Sequence, residues 1–245
     1  MISRILTVAG ISGAIFWWGL FTPAVAQEQV RIQETDTQIP VDAKRPYVHV
    51  LHNGRSVKIQ RVQDENYEVK GYWAQTVRKC PPFCIRAERA DPSVETVGEV
   101  EVLDFLENQV RDGVGILVDA RTPEWHKKGT IPGSINIPFT VFGQDDTSVE
   151  LREALELLGG KPRAGVSAFT RKLEEWGFLD GRDKTERWDF SNAKQVMLWC
   201  NGMTCGQSPK AIEGLLHVGY PAHKIYYFRG GMQTWQLLAL TTVQP

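Results

Sequence analysis

Apolar and polar positions change period several times along the 245-residue chain. Residues 47–62 alternate, as YVHVL, then HNGR, then SVKIQRV. Asn53-Gly54 lies between the two runs. A two-residue turn joining antiparallel strands needs positive φ at both central positions, so this stretch predicts a β-hairpin. Residues 97–110 (VGEVEVLDFLENQV) set Val100, Leu103, Phe105, Leu106 and Val110 at helical spacing, and glycines at 113 and 115 stop the pattern. Ile116-Leu117-Val118 is a continuous apolar run ending at Asp119, as a strand covered on both faces reads. The turn-rich stretch that follows contains a minimal strand at Ile135-Asn136-Ile137. Residues 149–158 (VELREALELL) form an amphipathic helix ended by Gly159-Gly160. A second helix is predicted over 167–176, with Phe169, Leu173 and Trp176 on one face. Residues 196–200 read as a strand ending in Cys200. Ser208 as N-cap and Pro209 open a helix running to about Val218 and Gly219. Residues 225–228 are the last strand, and a short helix with Trp235 follows Gly230-Gly231.

Strands alternating with helices from Ile116 onward predict an α/β domain around a parallel sheet. Ligands of such sheets bind at the carboxyl ends of the strands, where Asp119 and Cys200 fall. A cysteine there, facing the start of a helix, meets backbone N–H groups and a helix dipole that favour a thiolate.

Residues 1–26 change the reading of compartment. Arg4 precedes an apolar run over 5–20, and Ala24-Val25-Ala26 is a small-residue cleavage site before Gln27. The expectation is a cleaved signal peptide and a periplasmic or secreted protein, with an uncleaved anchor as the alternative. The mature chain is then an irregular arm (27–45), an N-terminal extension to residue 98 that holds the hairpin, and a main domain over 99–245. The formal net charge of −1 gives no reason to expect nucleic acid or, after cleavage, a membrane as partner. A mean hydropathy of −0.27 argues against several membrane spans.

The four cysteines fall in two close pairs, Cys80 with Cys84 and Cys200 with Cys205. Neither spacing is that of a zinc ribbon or a thioredoxin-like site. Cys80-Pro81-Pro82-Phe83-Cys84 is a stiff turn suited to a disulfide, with a redox pair as the alternative. No cofactor and no metal site is expected. No histidine is spaced for a Cys-His dyad: His126 reads as solvated, His52 as part of a hairpin turn, and Trp125 and Trp235 as core.

Three segments together resemble the rhodanese-like family: VDARTPEWHKKGTIPGSINIP (118–138), LWCNGMTCGQSPKAIEGLLHVGY (198–220) and YYFRGGMQTWQLLAL (226–240). The resemblance covers roughly 99–245. It implies a rhodanese-like layered α/β sandwich around a parallel sheet. It also implies a nucleophilic Cys200 that takes sulfane sulfur from a small donor, holds it as a persulfide and passes it to a thiol acceptor, a protein thiol among the candidates. By position, the backbone amides of Asn201, Gly202, Met203, Thr204, Cys205, Gly206 and Gln207 would cradle an anion, and Asp119 with Arg121 would buttress the site, with Ser208 in support. The loop departs from the family pattern. Where an Arg or Lys is usual there is Cys205, or Gln207 when counted back from Ser208, so thiosulfate is not expected to be the best donor. The sixth position past Cys200 is Gly206, not the Arg of a phosphatase loop. Cys205 is a candidate resolving cysteine, against a plain loop residue or a permanent disulfide partner. Three further readings remain: a thiol–disulfide or electron relay through both pairs, a Cys₄ metal site, and a non-catalytic binding module.

Overall fold

The computed structural model describes residues 38–245. The expected signal peptide and the first part of the expected arm lie outside those residues. Hairpin strands β1 (Val48–His52) and β2 (Arg55–Ile59) pair antiparallel. Asn53 and Gly54 at the turn have φ of 49° and 75°, the double left-handed turn that their residue types predict. β3 (Glu95–Val97) precedes helix α1 (Glu99–Phe105), which continues through a wider helical turn over Leu106–Val110. β4 (Gly115–Asp119), α2 (Pro123–His126), β5 (Ser134–Asn136), α3 (Phe139–Phe142) and α4 (Val149–Leu157) follow. A small pair, β6 (Lys161–Pro162) and β7 (Trp188–Asp189), brackets α5 (Ala168–Glu175). The chain then runs through β8 (Gln195–Trp199), α6 (Gln207–His217), β9 (Ile225–Phe228) and α7 (Gly231–Leu237).

β3, β9, β8, β4 and β5 form one sheet in that order, with every pairing parallel. Side chains alternate across a strand, which splits the apolar runs between two faces. Val118, Val196 and Leu198 face a cluster containing Phe142, Leu155 and Ile212. Leu117, Met197 and Trp199 face another, containing Leu103, Met232 and Trp235. Both faces are covered, which is why these strands read as unbroken apolar runs. β8 is the middle strand, so Cys200 emerges at the centre of the sheet's carboxyl edge.

The hairpin packs on the second cluster through Val48, Val50 and Ile59. β3 supplies an edge strand. Both lie in the stretch read as an extension, so residues before 99 belong to the same core. The carboxyl-terminal tail ties them down: Thr241 N–H donates to the Gln60 carbonyl at 3.0 Å, and Thr130 and Val243 exchange backbone bonds.

Three elements differ from expectation. α2 and α3 are single turns set in loops, too short to show a period. α5 forms, with Ser167 as its cap and an Arg163–Glu174 ion pair at 2.6 Å, yet Phe169 and Trp176 are 67% and 64% exposed. Of its predicted apolar face only Leu173 is partly covered. Ser208 is not an N-cap: Gly206 holds that position and the helix starts at Gln207.

Candidate active site

Cys200 is 1% exposed and follows the last residue of β8. The loop from Asn201 brings the start of α6 back onto its sulfur. Ser208, turned inward from the second helical position, donates its hydroxyl to Cys200 Sγ at 3.0 Å. That inward turn is why it does not cap the helix. Burial pushes the Cys200 thiol up. Hydrogen bonds from the Cys205 thiol, from the Ser208 hydroxyl and N–H, and from the Gly202 N–H more than offset this, bringing it down to about 7. Cys205 is pushed the other way, chiefly by donating to Cys200 and then by burial. Above about pH 7 the pair therefore holds one proton, on Cys205, beside a thiolate on Cys200. Burial also keeps the nearby Tyr227 hydroxyl protonated.

The amide cradle is divided. Gly202 and Ser208 point their N–H groups at Cys200. Asn201 and Gln207 point theirs at Cys205. The Cys205 N–H is spent on the Gly202 carbonyl at 2.8 Å. Cys205 Sγ also lies 3.7 Å from Gln207 Oε1. Gly202 has φ of +135°, and a Cβ there would come within 2.9 Å of the Gln233 side chain, so only glycine fits this turn. Met203 is exposed and uses its carbonyl to hold the N–H of Arg86 at 2.9 Å. Thus the stretch from Asn201 to Gln207 is not one cradle, because its amides serve two sulfurs and the loop's own turn.

Asp119 and Arg121 form the expected brace. Arg121 Nε and Nη2 donate to the two carboxylate oxygens at 2.8 and 2.6 Å, and both side chains are buried. Thr130 Oγ1 adds a bond at 3.0 Å. Arg121 Nη2 also reaches the Gly129 carbonyl at 2.7 Å, its Nη1 lies 3.4 Å from Asn201 Oδ1, and its guanidinium stacks over Trp199 at 4.5 Å. Burial would raise the Asp119 carboxyl, but bonds from Arg121 and His126 hold it below the usual range. His126 is therefore not solvated: its Nδ1 lies 2.9 Å from Asp119 Oδ2 with the side chain 15% exposed. His52 closes β1 and accepts from the Gly133 N–H at 3.2 Å.

A pocket of about 280 Å³ opens above the cysteine loop. Its floor is Asn201, Thr204, Cys205, Gly206 and Gln207. Cys200 does not reach the lining, and Cys205 covers it. Trp125 is not core: it lines this pocket beside Tyr72, with ring centroids 4.7 Å apart. Arg78, Phe83 and Arg86 complete the wall from the N-terminal side, with Phe139 and Lys210 opposite. Arg78 and Arg86 are cations of the kind the loop lacks, and sequence does not show them there because both lie over a hundred residues before Cys200. The Cys80 and Cys84 sulfurs are at bonding distance, with Cα atoms 4.7 Å apart. They line a neighbouring cleft that shares Arg78, Phe83, Thr204 and Gln233 with the first pocket. So paired, they offer no thiolate for a Cys₄ metal site.

No curated protein matches the chain. Similar solved structures include a human single-domain sulfurtransferase, TSTD1, at 20% identity over 59% of this chain and 96% of that one, TM-score 0.34. The yeast (Saccharomyces cerevisiae) single-domain sulfurtransferase RDL2 is 14% identical over 59% and 89%, TM-score 0.34. A thiosulfate sulfurtransferase from Pseudomonas aeruginosa is 19% identical over 62% of this chain and 20% of that one, TM-score 0.36. The family model for the rhodanese-like domain matches residues 102–238, more than half of the chain. With the cysteine loop, the Asp119–Arg121 brace and four of the sheet's five strands inside that span, the chain belongs to the rhodanese-like domain family.

Proposed function

We propose that this protein is a sulfurtransferase that carries sulfane sulfur as a persulfide on Cys200, with Cys205 as the resolving cysteine. The observation that carries the reading is the lowered Cys200 thiol with the protonated Cys205 thiol hydrogen-bonded against it. In the loading step the Cys200 thiolate attacks the outer sulfur of a donor. The bond between that sulfur and the rest of the donor breaks, and the donor remnant leaves with the electron pair. Transfer to a thiol acceptor returns Cys200 to the thiolate. In the resolving branch the Cys205 thiol attacks the Cys200 sulfur, the outer sulfur leaves as hydrosulfide carrying the Cys205 proton, and a Cys200–Cys205 disulfide remains. A dithiol reductant must then restore the pair. Cys205 covers Cys200, so it also gates access and must swing aside for the donor.

The leader at residues 1–26 and the paired Cys80 and Cys84 support work in the periplasm or outside the cell. Mass spectrometry after exposure to several sulfur donors tests the proposal. Wild type should gain 32 Da per sulfur at Cys200 (roughly, one sulfur atom, as sulfane sulfur adds on the oxidation ladder), Cys200→Ser should gain none, and Cys205→Ser should accumulate the adduct. A wild type that takes up sulfur from no donor would sink the enzyme reading. Normal turnover in Cys205→Ser without accumulation would sink the resolving role. The alternative, a thiol–disulfide protein, uses the same two sulfurs and predicts disulfide exchange with no adduct.

A further inference from the structure

We propose that residues 72–86, which precede the family's own boundary, complete the pocket as a recognition wall that selects a sulfur donor which is an organic anion with an aromatic body. The proposal rests on the sulfurtransferase reading and adds the donor's chemistry to it.

Charge comes first. Arg78, Arg86 and Lys210 line the pocket, no carboxylate does, and none of the three is in an ion pair among the described residues. Asp91 and Glu213 line a separate cleft on the far side of Arg86 and Lys210 and pair with neither. Arg86 is held by its backbone. Its N–H donates to Met203 of the cysteine loop at 2.9 Å, and Arg229 donates to the Arg86 and Ala87 carbonyls at 2.9 and 3.1 Å. Its guanidinium lies on the bare face of Gly206, where a Cβ would come within 2.9 Å of Nη2. A cation thus lies beside the amino-terminal end of α6, against the residue that follows Cys205.

Shape comes second. Tyr72, Trp125 and Phe139 give the pocket aromatic sides, and Arg78 stacks on Tyr72 at 3.6 Å, which stiffens that side. At about 280 Å³ the pocket is near the low end of the roughly 300–1,000 Å³ of small-molecule sites. That is room for a ring, where a small inorganic ion would leave the aromatic sides bare. An arylthiosulfonate meets both requirements. The Cys200 thiolate would attack its terminal sulfur, the sulfur–sulfur bond would break, and the arylsulfinate would leave with the electron pair, so total charge is unchanged.

Calorimetric titration of the full chain with unreactive probes tests the wall. Benzenesulfonate should bind roughly tenfold tighter than benzenesulfonamide, about one charge-assisted contact, and roughly tenfold tighter than methanesulfonate, about the burial of part of a ring. Arg86→Gln should lose that advantage over the sulfonamide, Arg86→Lys should keep most of it, and Tyr72→Leu should lose the advantage over methanesulfonate. Unchanged thermal melting of these variants guards against misfolding. Equal binding of the three probes, or an indifferent Arg86→Gln, would overturn the proposal while persulfide formation on Cys200 still stood. Arg86-dependent binding of benzenesulfonate without any persulfide from benzenethiosulfonate would overturn the donor assignment, while a persulfide formed from another donor would leave the sulfurtransferase reading standing.

Discussion

Cys80 and Cys84 are four residues apart and Cys200 and Cys205 five, yet the two pairs have opposite fates. The first pair sits in an exposed proline turn with its sulfurs at bonding distance. The second is unbonded, with Cys200 buried and Cys205 facing the pocket, and above about pH 7 it holds a single proton. Spacing does not separate them. Surroundings do. The Cys200 loop aims backbone N–H groups at both sulfurs and rests on the buried Arg121 through Asn201, so a thiolate is stabilised without a bond to its neighbour. At 80–84 the proline at each central position removes N–H groups that could serve an anion.

The strongest way to break the contrast is to remove the brace. Arg121→Ala leaves the Asp119 carboxylate buried with His126, Thr130 and the backbone N–H of residue 121 but no guanidinium, which should cost about 3–5 kcal/mol and lower the melting temperature by on the order of 10 °C. A loss under about 1 kcal/mol in urea unfolding would mean the brace does not support the loop. A smaller effect belongs to the first pair. Cys80→Ser with Cys84→Ser opens a very short loop, worth about 2 kcal/mol by chain entropy. Persulfide formation should fall only a few-fold, through KM, whereas Cys200→Ser abolishes it. Complete loss in the double variant would show that both pairs act in the chemistry. The mildest comparison is protonation. With the Cys200 thiol lowered to about 7, roughly half is thiolate at pH 7, about 15-fold more than for an unperturbed thiol near 8.5. The sign follows from a depressed acid: thiolate persists as pH falls toward 7 and is lost below it. The thiolate absorbance of wild type minus Cys200→Ser should be half-complete near pH 7, and a midpoint at or above 8.5 would remove the basis for activation.

Much of the frame was legible because its signals are local. Asn53-Gly54 dictates its own turn. The run ending in Cys200 and the helix after it announce a strand, a loop and an amide-rich helix start. Asp119 could be placed at a strand end, and its pairing with Arg121 followed from the resemblance to the family's motif. Other features depend on contacts between distant residues and leave no local trace. Ser208 has the composition of a cap, yet the sulfur outcompetes the helix end for its hydroxyl. Trp125 and His126 look like core and surface, yet one lines the pocket and the other bonds Asp119. Arg86 gains its place only because Met203 and Arg229 hold its backbone from far along the chain. The apolar face of α5 shows the converse: a periodic pattern marks a helix without guaranteeing a partner for it.

The family match begins at residue 102 and ends at 238. Strand β3, the hairpin, the recognition wall and the tail that pairs with Thr130 all fall outside it. A fragment cut at those limits would bare the edge of β9 along its backbone N–H and C=O groups, an invitation to pair with other chains. It would also strip apolar cover from Trp199 and Met232. For anyone grafting this domain into another protein, the practical unit includes Ile39, which exchanges bonds with Gln63, and Val41, which packs on the second cluster, because the family core and these outer residues form one piece of engineering stock.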